Sequence, residues 1–92
     1  MNQQDAIDVA RAFIATRSKD WQQIWPAKRI AAKLRQSRKS AEQVWEVRSV
    51  RDGLDVTNIS IEISPTTGAV VYALKFGGLR ELPEEYVATE CA

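Results

Sequence analysis

The sequence contains no histidine and only one cysteine, Cys91, among its 92 residues. Without histidine the chain lacks the commonest general base, a frequent metal ligand and the base of the usual serine and cysteine triads. A single cysteine cannot close an intramolecular disulfide, so the fold has to hold without one. We therefore predict a non-catalytic protein with no metal and no cofactor.

Long apolar runs and glycine-rich loops are also missing. No run approaches the roughly 20 apolar residues that cross a bilayer, and the N-terminal residues Met1–Asp5 are polar, unlike a secretory signal. The four glycines form neither a phosphate-binding loop nor a dinucleotide fingerprint. These absences predict no signal peptide, no membrane contact and a cytoplasmic location.

The composition that is present, 45% hydrophobic and 27% charged, is typical of a globular protein, and the length suits one domain over residues 1–92. The charge is unevenly divided. Residues 1–39 contain nine basic and three acidic side chains, a net +6, whereas residues 40–92 contain four and nine, a net −5, which together give +1. Such a division can orient a partner during association.

Two helices are predicted before residue 40. The first covers residues 3–17, with Asn2 as its N-cap and Asp5 in its first turn. Its expected buried stripe is Ile7, Ala10, Phe13, Ile14 and Arg17.

The second predicted helix covers residues 26–37, with Pro26 in its first turn. Its apolar positions recur at helical spacing, at Ala27, Ile30, Ala31 and Leu34. Its opposite side is basic, since residues 28–39 hold six basic side chains and no acidic one.

An antiparallel meander is predicted for the second half, with strands at residues 43–51, 55–64 and 69–76. The loop Pro65–Gly68 would pair Ser64 with Ala69. That register sets Ile63 opposite Val70, Ile61 opposite Tyr72 and Ile59 opposite Leu74. Residues 83–90 are expected to form a short helix or a loose tail.

The first hairpin is predicted to have a loop longer than the two-residue turn Asp52–Gly53. The longer loop sets Val47 against Ile59 and Trp45 against Ile61, which keeps the apolar side chains on one face. The other face would then be exposed to water, with Glu46, Arg48, Asn58, Ser60 and Glu62.

The best candidate for a contact region is residues 21–39. Its tryptophans either close the edge of the core or, if exposed, anchor a partner. Its basic helix is either a solvated face or a docking surface. The predicted partner-binding residues are Trp21, Trp25, Lys28, Arg29, Lys33 and Arg35.

The order of motifs along the chain resembles a known family. An early helix with alanine, isoleucine and phenylalanine is followed by Trp-x-Val, by Asp-Gly, and by Ile-x-Ile-x-Pro-x-Thr-Gly-x-Val. The matching residues are Ala6, Ile7, Ala10, Phe13, Ile14, Trp45, Val47, Asp52, Gly53, Ile61, Ile63, Pro65, Thr67, Gly68 and Val70. This pattern, over about two thirds of the chain, resembles a PepSY domain. It is also similar to small bacterial immunity proteins of the nuclear-transport-factor-like, cystatin-like type.

The resemblance implies a module that binds and restrains another protein. We predict an α+β fold, with an N-terminal helix on a three- to four-stranded antiparallel meander and a second, basic helix inserted before the sheet. The predicted function is inhibition or neutralisation of a protein partner, such as a bacterial toxin or a protease-like enzyme. Two alternatives stay open, a self-assembling homodimer and a nucleic-acid binder that uses the basic helix.

Overall fold

The computed structural model describes residues 1–17, 21–22, 29–38, 41–50, 57–77 and 83–87. Helix α1 (Gln3–Ala15) precedes five strands: β1 (Arg29–Gln36), β2 (Gln43–Val50), β3 (Thr57–Ile63), β4 (Val70–Gly77) and β5 (Glu84–Val87). The strands form one antiparallel sheet in the order β1-β2-β3-β4-β5. The predicted α+β class, with an N-terminal helix and an antiparallel sheet, is confirmed. The sheet is larger than the three to four strands expected.

Helix α1 begins with a complete capping box. The Asn2 side chain accepts a hydrogen bond from the Asp5 N–H at 2.8 Å, and the Asp5 carboxylate accepts one from the Asn2 N–H at 3.2 Å. Together these two bonds satisfy N–H groups that have no partner within the helix. The helix ends at Ala15, two residues before the predicted end, where Thr16 caps it.

One face of the sheet packs against α1, and we call it the helix face. The helix contributes Ala6, Ala10 and Ile14, of which the two alanines are fully buried. The fully buried residues of β2 and β3 in the same cluster are Val47, Ile59, Ile61 and Ile63. The small alanine side chains allow the helix backbone to lie close to the sheet.

The prediction of a second helix over residues 26–37 is wrong for residues 29–36. These residues form β1 and pair with β2 from Arg29 opposite Val50 to Gln36 opposite Gln43. Alanine, lysine, leucine and arginine favour helix, but helix propensities differ by less than about 1 kcal/mol per residue, which strand pairing and burial can override. The same segment also has a period of two, at Ile30, Ala32 and Leu34, which fits a strand. Residues 26–28 lie outside the described ranges.

The register of the first hairpin differs from the predicted one by two residues. Trp45 pairs with Ile63 and Val47 with Ile61, so the predicted pairings of Trp45 with Ile61 and Val47 with Ile59 are wrong. A shift by an even number leaves each side chain on its original face, because the side chains of a strand alternate. The prediction that the apolar side chains of β2 and β3 share one face of the sheet is therefore confirmed.

The second hairpin has the predicted turn but not the predicted register beyond it. The Ser64 N–H donates to the Ala69 carbonyl at 2.9 Å, Gly68 has φ 73°, and Ile63 pairs with Val70.

An irregularity between Glu62 and Ile63 then shifts the pairing by one residue. Ile61 lies opposite Ala73 and Ile59 opposite Lys75, so the predicted partners Tyr72 and Leu74 are wrong. Such a bulge places one extra residue in one strand and reverses the facing of those that follow. The periodicity of the apolar residues alone did not reveal it.

The short helix or loose tail predicted over residues 83–90 is also wrong where the structure describes that segment. Residues Glu84–Val87 form β5 and pair antiparallel with β4, with Tyr86 opposite Ala73. Within the described residues, no helix has the length and apolar content needed to cross a membrane.

We expect Ala10→Leu to destabilise the protein by about 1–3 kcal/mol, because Ala10 has no exposed surface between α1 and the sheet and the added atoms would force the two apart. Ala12→Leu is the matched control, since Ala12 lies on the exposed side of the same helix. Urea unfolding of both variants tests this packing. Equal stability of the two variants would contradict it.

Candidate functional site

Two glutamates lie directly opposite each other on the sheet face that does not pack against α1. Glu46 on β2 pairs with Glu62 on β3, and their exposed fractions are 1% and 0%. Ser60, also on β3, is 1% exposed. We call this surface the polar face. The prediction that Glu46, Ser60 and Glu62 are exposed to water is therefore wrong.

Arg38 supplies the positive charge that two adjacent buried carboxylates require. Its Nη1 lies 2.8 Å from Glu46 Oε2, 3.3 Å from Glu62 Oε2 and 3.1 Å from Ser60 Oγ. Arg35 contributes a second guanidinium, with Nη1 at 3.0 Å from Glu46 Oε2. Burial of carboxylates is costly unless they are paired and hydrogen-bonded, and these contacts compensate the Oε2 atoms of Glu46 and Glu62.

The connection between β1 and β2 is attached to this cluster by further hydrogen bonds. Ser37 Oγ donates to Glu62 Oε1 at 2.7 Å, and the Arg38 N–H donates to Glu62 Oε2 at 3.1 Å. The residues that follow β1 therefore lie against the polar face at β3, one strand beyond the partner of β1. This attachment fixes the end of β1 relative to the centre of the sheet.

The ionised form of Glu46 is favoured in the folded protein. Burial alone would raise the pKa of its carboxyl. Hydrogen bonds from Ser60 and Arg38 and the charges of Arg38 and Arg35 outweigh burial and hold that pKa below its ordinary value of 4.5. Its second oxygen, Oε1, is buried and has no hydrogen-bond partner in the part of the chain that the structure describes.

A separate ion pair joins β4 and β5 on the helix face. Lys75 Nζ lies 3.2 Å from Glu84 Oε2, and the lysine side chain is 9% exposed. This hydrogen-bonded pairing holds the pKa of the Glu84 carboxyl below its ordinary value. On the polar face, burial raises the pKa of Tyr72, which lies opposite Glu62.

Of the predicted partner-binding residues, Trp21 is a core residue rather than a surface contact. It has no exposed surface and packs edge-to-face against Phe13, with ring centroids 6.3 Å apart. The Arg17 guanidinium lies 5.2 Å from the Trp21 ring and 5.1 Å from the Tyr86 ring. Trp21 therefore closes the core beside β5.

The remaining predicted residues divide by position. Arg29, Lys33 and Arg35 lie along β1, at an edge of the sheet, where Lys33 is exposed and the Arg35 side chain is 36% exposed. Trp25 and Lys28 lie outside the described ranges. Strand β1 thus brings Arg29, Lys33 and Arg35 to an edge of the described sheet, not to the face of a helix.

Sequence reasoning missed the buried cluster of Arg38, Glu46 and Glu62. A signal was present, because Glu46 and Glu62 each lie inside an apolar strand and share a face in the predicted register. Arg38 was counted only as part of a basic run. Nothing in its local sequence indicated that it would reach β2 and β3.

No family model, curated protein or solved structure matches this chain. The resemblance to PepSY domains and immunity proteins therefore stays a prediction. Within the described ranges, no group of three or more histidine, cysteine, aspartate or glutamate side chains is placed to hold a metal ion. The expected lack of metal and cofactor likewise stays a prediction.

We expect Arg38→Met to destabilise the protein by about 3 kcal/mol, because among the described residues it leaves two opposed buried carboxylates with Arg35 as their one counterion. Lys33→Met is the matched control, because it removes an exposed cation from the same part of the molecule. Adding Glu62→Gln to Arg38→Met should restore part of the loss. Chemical unfolding at neutral pH measures all three; equal stability of Arg38→Met and Lys33→Met would contradict the role of Arg38.

Stability should depend on pH through Glu46. The pKa of Glu46 is lower in the folded protein than in the unfolded chain. Near pH 4 the unfolded state therefore binds more protons than the folded state, and a fall in pH favours unfolding. The stabilisation is fully present well above pH 4.5 and is lost as the pH falls through the folded pKa. Urea unfolding between neutral pH and about pH 3 should show a shallower fall in Glu46→Gln than in the unaltered protein. If the stability of Glu46→Gln and of the unaltered protein fell equally steeply with pH, Glu46 would not be the source of the pH dependence.

Proposed function

We propose that this protein is a non-catalytic binding module that inhibits or neutralises a partner protein by covering part of its surface. The partner class is a bacterial toxin or a protease-like enzyme, as the resemblance to immunity proteins and PepSY domains implies, and the site of action is the cytoplasm. The observation that carries the proposal is strand β1, which lies at an edge of the described sheet and holds the predicted contact residues Lys33 and Arg35.

The surface of β1 suits a protein contact. Ala31, Lys33 and Gln36 are exposed, and Leu34 is 45% exposed, one of the largest apolar side chains at the surface of the described residues. Apolar and basic side chains thus alternate along an accessible strand. Protein interfaces combine such apolar contact with peripheral charge.

The buried carboxylates support a non-catalytic role. Glu46 and Glu62 are the paired acids of the polar face, yet both are enclosed and held by Arg38. A substrate would have to displace Arg38 before it reached either carboxylate. Their contacts explain them as structural groups that attach the β1–β2 connection to the sheet.

The nucleic-acid alternative loses the element on which it depended. The predicted basic helix is strand β1 over residues 29–36, and Arg35 and Arg38 make ion pairs with buried glutamates. Charges that are compensated in this way attract phosphate less strongly. A protein partner is therefore the better-supported proposal.

The test is capture of a partner from native lysate, followed by measurement of that partner's activity. We expect a stoichiometric protein whose activity falls when the domain is added, and Lys33→Glu should weaken capture by about tenfold because it reverses an exposed charge on β1. Arg11→Glu is the matched control, since Arg11 is an exposed basic residue on α1. A captured partner whose activity is unchanged by the domain would overturn the inhibitory function.

A further inference from the structure

In the part of the chain that the structure describes, only β2 pairs with β1, so the backbone groups on the other side of β1 can be assigned residue by residue. The Ser37 N–H donates to the Glu42 carbonyl at 2.9 Å, at the end of the β1–β2 ladder. Because bonding direction alternates along a strand, the odd-numbered residues of β1 bond to β2. The even-numbered residues therefore direct their N–H and C=O groups outward. They are Ile30, Ala32, Leu34 and Gln36.

Two of these outward carbonyls are occupied by side chains of the same molecule. Gln3 Nε2 donates to the Ala32 carbonyl at 2.9 Å, and Arg35 Nε donates to the Gln36 carbonyl at 3.3 Å. Proteins commonly protect exposed edges in such ways against unwanted pairing. Ile30 and Leu34 have no such side-chain donor among the described residues, so the centre of β1 is only partly protected.

We propose that β1 binds an extended segment of the partner protein as an added strand of the sheet, and that this segment alternates acidic and apolar residues. The inference rests on the proposed protein-binding function and names its surface and the chemistry of the partner. Backbone hydrogen bonds to the outward groups of β1 supply affinity, and side chains on the two faces supply specificity.

The two faces of β1 determine the chemistry of the added strand. On the helix face, Leu34 is partly exposed while Ala32 on the same face is buried, so a neighbouring apolar side chain would extend the core past the edge. On the polar face, Lys33 is exposed and β1 contains no acidic residue. Acidic side chains are therefore favoured opposite it.

The same charge argues against a second copy of β1 as the added strand. Every charged side chain of β1 is basic, so two copies would bring only like charges together, and like charges directly opposite each other are unfavourable. Strand β5 of a second copy carries Glu84 and Glu85 and is the competing occupant. It has four residues against the eight of β1, and such head-to-tail pairing would generate a ring or an open-ended chain of molecules.

The test uses a soluble peptide of alternating glutamate and valine as the probe, with a lysine–valine peptide of equal length for comparison. We expect the acidic peptide to bind at least about tenfold more tightly by fluorescence anisotropy. Lys33→Glu should reduce or reverse that preference. Equal binding of both peptides would overturn the proposed chemistry.

Leu34→Pro tests backbone pairing directly, because it removes an N–H that points outward and leaves the bonds to β2 intact. Leu34→Ala is the matched control, which shortens the side chain and keeps the N–H. We expect the proline variant to bind about tenfold more weakly than the alanine variant. Equal affinities, with both variants folded by circular dichroism, would overturn strand addition.

Gln3→Ala keeps the proposal testable even if the proline variant does not fold. It frees the Ala32 carbonyl, so the acidic peptide should bind more tightly, by about threefold, whereas Gln4→Ala should leave binding unchanged. Loss of structure would weaken binding and could not imitate this gain. No difference between the two variants would contradict the proposed pairing.

The edge proposal and the proposed function fail in different ways. If Leu34→Pro still captures and inhibits the natural partner as Leu34→Ala does, the function stands and the edge assignment is wrong. If the acidic peptide binds as expected but the captured protein is not inhibited, strand addition at β1 is supported and the proposed inhibitory function is wrong. Concentration-dependent self-association in sedimentation, weakened by Glu85→Lys, would assign the edge to a second copy and overturn the proposed occupant.

Discussion

The pairing of Arg38 with Glu46 and Glu62 is the constraint on which this arrangement depends. Two glutamates lie opposite each other in neighbouring strands, enclosed on the polar face, which is tolerable only with a cation between them. Arg38 reaches that position because the chain turns back after β1 and is held there through Ser37. The ion pairs therefore specify where β1 ends and how it lies beside β2.

The position of β1 in turn determines which surface is available to a partner. With its odd-numbered residues bonded to β2, β1 presents alternate backbone groups outward and places Leu34 and Lys33 on opposite faces of the edge. On the helix face, close packing of α1 on apolar strands stabilises the fold. On the polar face, the ion pairs fix the position of β1 beside β2. A binding surface at the edge is compatible with both, because it uses neither the core nor the enclosed carboxylates.

Sequence reasoning predicted the features that depend on local chemistry and on alternation. The Asn2–Asp5 cap, the turn that ends at Gly68 and the shared apolar face of β2 and β3 are all of this kind. Residues 29–36 satisfied both a helical and a strand periodicity, and the choice depended on pairing with β2, which no local pattern contains. The bulge near Ile63 and the reach of Arg38 to the glutamates are likewise products of tertiary contact.

The most direct test of this arrangement is amide hydrogen exchange along β1, measured residue by residue by NMR. We expect alternating protection, with slow exchange at Ala31, Lys33 and Arg35, whose N–H groups bond to β2, and fast exchange at the outward-facing residues Ile30 and Leu34. Uniform protection along the segment, accompanied by helical chemical shifts, would contradict it. That result would mean that this segment is the helix predicted over residues 26–37, and that the sheet has no β1 edge to which the proposed partner could bind.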